Sequence, residues 1–158
     1  LQVPRLDEGS EHLVCFDSSA GSVLKQTRLN TYGEFYYLNG RGLVCQENSW
    51  PLEYLIRLRL WDKVFGSAPH ALGMTVDARI VSRQKFITGT PPTQTEVDEF
   101  LAQASLVPVR RDRWLWKIPA SEGDHEIWVG DARSDNFVAT PEGIVPIDLR
   151  LWYAPKRG

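Results

Sequence analysis

The run Gly130-Asp131-Ala132-Arg133-Ser134-Asp135-Asn136-Phe137-Val138, followed by Ile144-Val145-Pro146-Ile147-Asp148-Leu149, constrains this chain most. Ahead of it, Glu126-Ile127-Trp128-Val129 is β-branched and aromatic and predicts a strand that delivers the backbone to Gly130. Behind it, Phe137-Val138-Ala139-Thr140, a Pro141-Glu142-Gly143 turn, and Ile144-Val145-Pro146-Ile147 predict a tight hairpin. A polar loop is thereby fixed between strands, with Asp131 and Asp148 at strand ends. The loop carries an acid, a cation and an amide within six residues, and a second acid stands twelve residues beyond Asn136. Phosphoryl transfer from a nucleotide uses that set: one carboxylate orients a hydroxyl, a cation steadies the moving group, and an amide and a second carboxylate hold magnesium. Asp and Asn also favour turns, so a loop shaped by Asp131 and Asn136 without chemistry is the alternative reading.

A chain of 158 residues suits one domain, with room for two small lobes and a buried core. Its hydrophobic content of 42% and charged content of 24% are those of a globular protein. A net charge of −2 and a pI near 5.9 argue against broad electrostatic binding of nucleic acid. No apolar run approaches membrane-spanning length, and Leu1-Gln2-Val3-Pro4-Arg5 lacks the features of a signal peptide. Cys15 and Cys45 lie among apolar neighbours and read as reduced thiols, with a single disulfide as the alternative. The expected setting is cytoplasmic, with no membrane partner.

In the N-terminal half, Leu13 to Phe16, an Asp17-Ser18-Ser19-Ala20-Gly21 turn, and Ser22-Val23-Leu24-Lys25-Gln26-Thr27 predict a hairpin. Upstream of it, Asp7-Glu8-Gly9-Ser10-Glu11 is the candidate phosphate-covering loop, with Gly9 and Ser10 as its backbone donors; its single glycine and neighbouring acids are poor material for holding phosphate. The segment Tyr32 to Glu47 is broken by Gly33, Gly40 and Gly42 and reads as a loop with one short strand at Phe35-Tyr36-Tyr37-Leu38. Ser49 suits a helix N-cap, Pro51 suits the first turn, and Leu52, Leu55, Ile56, Leu60 and Val64 recur at helical spacing until Gly66. This predicts a helix over 50–65. Glu53 has two readings on it, a surface pair with Arg57 four residues on, or the anchor of a lysine elsewhere.

Further on, Thr75 to Ser82 reads as one strand running into Arg83-Gln84-Lys85-Phe86-Ile87-Thr88-Gly89, and the break at Gly89-Thr90-Pro91-Pro92 reads as a lobe-connecting hinge. Thr93-Gln94-Thr95-Glu96 is a capping box that opens a helix over 94–104. Val107-Pro108-Val109 and Trp114 to Ile118 read as strands around Arg110-Arg111-Asp112-Arg113. Those arginines beside Trp114 and Trp116 invite a nucleic-acid reading, against which stand the acidic balance of the chain and an ordinary charged turn. His12, His70 and His125 share no ligand spacing, so no histidine metal site is expected.

Taken in order, these residues resemble the small protein-kinase-like domain of polyvalent proteins in phages and mobile elements, within the protein kinase and aminoglycoside phosphotransferase superfamily. The resemblance runs from about Glu11 to Leu149. It rests on Val23-Leu24-Lys25-Gln26-Thr27, on Pro51-Leu52-Glu53-Tyr54-Leu55, on Ser82 to Gly89, on Pro92 to Val97, and above all on Gly130-Asp131 through Asp148. It implies an α+β, reduced two-lobed kinase-like fold: an N-terminal antiparallel sheet with one helix over 1–88, and a small C-terminal half over 89–158 with catalytic loop and hairpin. By the resemblance, Asp131 is the catalytic base and Arg133 stands where the family has a lysine. Asn136 and Asp148 are magnesium ligands, and Lys25 with Glu53 is the ion pair that grips the phosphates. ATP and magnesium are the implied cofactors, and a hydroxyl on a protein or small molecule is the acceptor. Lys25 and Glu53 are expected to face each other and to point towards Asp148. Asp148-Leu149-Arg150 stands where the family has Asp-Phe-Gly, and ten residues remain after Asp148, too few for a peptide-docking half. A pseudokinase that senses nucleotide or binds a partner is the competing expectation.

Overall fold

The computed structural model describes residues 5–7, 11–39, 41, 43–109, 112–121 and 125–154. It is α+β, and the chain divides into two units: Leu1–Gly33 with Asn48–Phe86, and Glu34–Glu47 with Ile87–Gly158.

The first unit is built on an antiparallel sheet of β1 (Arg5–Asp7), β2 (His12–Asp17), β3 (Ser22–Thr27), β6 (His70–Met74) and β7 (Ile80–Lys85), in the order β1-β2-β3-β7-β6. The β2–β3 hairpin forms as the turn chemistry requires. Asp17 accepts from the Ser19 hydroxyl at 2.6 Å and from its N–H at 3.1 Å, and Gly21 takes the left-handed φ of 55°. Those bonds, the Ser19 hydroxyl first, hold the Asp17 carboxyl below its usual range. Helix α1 (Pro51–Phe65) ends at Gly66 in the left-handed conformation, as its sequence predicts. Its start differs by one residue: Trp50, not Ser49, is the N-cap, and the Glu53 carboxylate accepts the Trp50 backbone N–H at 2.6 Å. Tyr54 and Leu58 of α1 pack with Tyr32 and Ile80 into a buried cluster.

Two readings of this half are corrected. The single strand expected from Thr75 is a hairpin, with β6 before it and a turn at 75–79 closed by the Thr75 hydroxyl and Asp77. Ala78 occupies the left-handed region at φ 64° in that turn, where sequence gives no glycine to announce it. The segment read as a loop with one short strand has that strand as β4 (Glu34–Leu38) and a second paired with it, β5 (Val44–Asn48). Residues 34–47 fall in the second unit. The physical reason is packing: the Tyr36 ring lies 5.4 Å from that of Trp152, and Arg150 binds Glu34 at 2.6 Å.

In the second unit, α2 (Gln94–Gln103) starts at the expected capping box, with Thr93 as N-cap and Glu96 answering it. The Thr93 backbone N–H donated to Glu96 holds that carboxyl below its usual range. A four-stranded antiparallel sheet follows the order β13-β10-β9-β8, from β8 (Val107–Pro108), β9 (Trp116–Ile118), β10 (Ile127–Gly130) and β13 (Arg150–Tyr153). Leu115, Trp128 and Trp152 form its core cluster. The predicted hairpin is present as β11 (Phe137–Thr140) and β12 (Gly143–Pro146), paired Phe137 to Pro146 and Thr140 to Gly143. Thr90 bridges to Ala139 by two backbone bonds of 3.1 and 2.8 Å, and a Cβ on Gly89 would meet the Ala139 carbonyl at 2.1 Å. Only glycine fits there, which explains the break in the predicted hinge.

Cys15 and Cys45 are free thiols. Among the described residues, no helix is long and apolar enough to cross a membrane.

Candidate functional site

β10 is buried along its length and ends at Gly130, where a Cβ would lie 2.8 Å from the Trp152 ring. Gly130 is therefore set by the close approach of an aromatic ring. The next residue, Asp131, takes a left-handed φ of 60°, a conformation Asp tolerates better than most. The kink turns the chain out of the sheet into the loop 131–136, which closes on a 3₁₀ turn at Ser134–Asn136.

The loop is held from several sides. The Ala132 N–H donates to the Trp114 carbonyl at 3.1 Å, and the Arg133 N–H donates to the Asp131 carbonyl at 2.8 Å. Gln94, on the first turn of α2, brackets the same stretch. Its Nε2 donates to the Ala132 carbonyl, and its Oε1 accepts the Ser134 N–H, both at 3.0 Å. Nothing in the sequence marks Gln94, because its partners lie 38 and 40 residues away.

Asn136 is the junction. It is buried, and its Nδ2 donates to the Asp131 carbonyl at 2.8 Å. A carbonyl can only accept, so this bond fixes the amide's orientation and leaves Oδ1 as its outward atom. The Asn136 carbonyl accepts the Ile147 N–H at 2.8 Å and the Asp148 N–H at 3.4 Å. One residue thus ties the loop that carries Asp131 to the turn that carries Asp148. The structure places Asp131, Arg133, Asn136 and Asp148 on two adjoining loops of the second unit.

Arg133 lies beside the acids. Its Nε is 3.0 Å from Asp131 Oδ1, and its Nη2 is 3.4 Å from Asp135 Oδ2. Nearly half of the Arg133 side chain is exposed, so the pairing is weak and readily exchanged. After Asp148, Leu149 is fully buried and Arg150 enters β13 opposite Gly130. Arg150 reaches Glu34 and, at 3.3 Å, the Tyr36 hydroxyl. Burial raises the Tyr36 phenol above its usual range. Arg150 therefore fastens β4 to the sheet, a role the sequence did not disclose.

Lys25 and Glu53 lie in the first unit. Lys25 sits on β3, in register with Val14 and Ser82, on the sheet face that α1 covers. Glu53 serves its own helix start through Trp50. Arg57, the other partner considered for Glu53, binds Glu11. His12 is buried, with Nε2 2.9 Å from the Tyr54 hydroxyl, a structural bond between β2 and α1. Gly9 and Ser10, the candidate phosphate-covering loop, lie outside the described residues, as do Arg110 and Arg111. Of the arginine–tryptophan patch, Arg113 stacks 4.6 Å from the Trp114 ring centre, and Trp116 is core.

Among the described residues, no group of three or more His, Cys, Asp or Glu stands ready to hold a metal. No protein-family model, curated protein or solved structure matches this chain.

Proposed function

We propose that this chain is an ATP- and magnesium-dependent phosphotransferase of reduced, two-lobed protein-kinase type, moving a phosphoryl group to a hydroxyl acceptor. The observation that carries the reading is the Asn136 junction. A single buried residue fixes the backbone of the candidate base, Asp131, and the amide of the candidate metal ligand, Asp148. Both contacts run to backbone groups, and together they hold the loops that carry the two acids in one arrangement. The reading is supported by an antiparallel sheet with one helix, which carries Lys25 on its central strand.

The donor set fits magnesium, which takes oxygen ligands and is commonly held by one or two carboxylates together with substrate phosphates. Asn136 Oδ1 and the Asp148 carboxylate are the oxygens this chain would offer. When bound, the metal would neutralise charge on the β and γ phosphates. Asp131 would accept the proton of the acceptor hydroxyl, and Arg133, within reach of Asp131, would exchange that pairing for the transferring phosphoryl group. Lys25 would hold the α and β phosphates. Glu53 can join it only by leaving the Trp50 N–H. The single glycine of Asp7-Glu8-Gly9-Ser10-Glu11 favours the second reading, a pseudokinase in which nucleotide is sensed without transfer.

Both readings require nucleotide binding. A thermal-shift titration should show Mg-ATP at a hundred times its Kd raising the melting temperature by about 5–10 °C, since only the folded state binds. No shift at millimolar Mg-ATP would remove both readings.

A further inference from the structure

Strand β6 forms one edge of the first unit's sheet, beside β7. In an antiparallel pair every second residue turns its N–H and C=O away from the partner, so part of the β6 backbone points outward. Among the described residues, no strand pairs with that side. Sheet edges are ordinarily protected from added strands by charge, proline, a bulge or a covering element. His70-Ala71-Leu72-Gly73-Met74 has a register shift between Ala71 and Gly73, but no proline, lysine, arginine or acid. All five residues are exposed, Leu72 and Met74 among them.

The two sides of this edge differ in chemistry. Ala71 pairs with Ser82 and Met74 with Ile80, both buried, so they lie on the face that α1 covers. His70 pairs with Arg83 on the opposite face, where Lys85 follows two residues along β7. Arg83 and Lys85 are exposed, and neither side chain has a salt bridge among the described residues. Asp17, on the same face, is held by Ser19 in its own turn. One side of the edge is therefore apolar and the other cationic. A strand added to β6 lies about 10 Å from β7, two interstrand spacings, within reach of side chains as long as those of Arg83 and Lys85. Its residues alternate between the faces, so one set meets the cations and the other meets Met74. The complement is a segment with acids at every second position and apolar residues between them. A second copy of β6 supplies no acid to this face and would bring two sets of cations together.

We propose that β6 is a docking edge for an extended partner peptide of alternating acidic and apolar residues, added to the sheet as a further strand. Main-chain hydrogen bonds supply the affinity of such an addition, and the alternate side chains supply its selectivity. None of these residues has a part in the nucleotide chemistry. Anisotropy titrations with a short labelled peptide of alternating valine and glutamate test the proposal. The wild-type chain should bind it at least about tenfold more tightly than the valine–lysine counterpart, because like charges oppose docking. Methylating one alternate set of the peptide's amide nitrogens should abolish binding and methylating the other should preserve it, since only one set faces β6. Arg83→Glu combined with Lys85→Glu should reverse the preference between the two peptides, and Met74→Glu should weaken binding of the valine–glutamate one. All three positions are exposed, melting curves establish that the variants fold, and the wild-type comparisons stand without them. No saturable binding, equal binding of the two peptides, or indifference to both methylations would overturn the docking edge. A dimer in sedimentation that Met74→Glu dissolves would give the edge to a second copy and overturn it too.

Discussion

Asp131→Asn is expected to lower transfer of labelled γ-phosphate, to water or to protein, by about 10²–10⁴-fold, the usual worth of a positioned general base. Mg-ATP affinity should stay close to that of the wild type, because the role assigned to Asp131 is exerted on the acceptor and not on the nucleotide. Asn is the right replacement on structural grounds. Asp131 sits at a left-handed φ of 60°, which Asn tolerates, and the bond from Asn136 reaches its backbone carbonyl rather than its carboxylate. The loop should therefore survive the change. A loss confined to turnover would mark an interaction made in the transition state. Equal transfer by the two proteins would take Asp131 out of the base's role, and the absence of transfer in the wild type would favour the nucleotide-sensing reading.

Arg57→Ala should have the largest effect on stability, about 3–5 kcal/mol, because it removes the guanidinium paired with the buried Glu11 carboxylate. The side chains of Arg57 and Glu11 are only 8% and 11% exposed and are paired through Nη1 and Oε1. The guanidinium also lies 5.5 Å from the Tyr54 ring centre. The site is tight: a Cβ on Gly33 would come within 2.9 Å of both Arg57 Nη1 and Glu11 Oε2. Urea unfolding checks the prediction. The double variant Glu11→Gln with Arg57→Met should recover much of the loss, since no charge is then stranded. A loss under about 1 kcal/mol in Arg57→Ala would mean that the pair behaves as a solvent-screened surface bridge.

What could be read from the sequence was local. The β2–β3 and β11–β12 hairpins, the Gly66 stop of α1 and the Thr93–Glu96 capping box each depend on residues within a few positions of one another. The candidate set on the two loops was legible for the same reason, as Asn136 and Asp148 flank one hairpin. The misses were set by distance or by missing alternation. β6 exposes all five residues, so it carries no inside–outside pattern for a strand to be recognised by. The pairing of β4 and β5 was hidden by Gly40 and Gly42, which read as loop punctuation. The attachment of β4 to β13 depends on Glu34 and Arg150, 116 residues apart. Glu53 was weighed as a partner of Lys25 or Arg57, whereas a carboxylate three residues into a helix can also reach back to the N-cap N–H. Gln94, which braces the loop from α2, is a first-turn polar residue of an ordinary kind until its partners are known.

The most direct test of the central claim is calorimetric titration of Mg-ATP into the wild-type chain and Asp148→Ala. Asp148 is the one anionic ligand assigned to the metal, with Asn136 supplying only a neutral oxygen, so its loss should abolish magnesium-dependent nucleotide binding. Wild type that binds Mg-ATP, beside a folded Asp148→Ala that does not, is the predicted result. Unchanged Mg-ATP affinity in Asp148→Ala would contradict the metal assignment and, with it, the phosphotransferase reading.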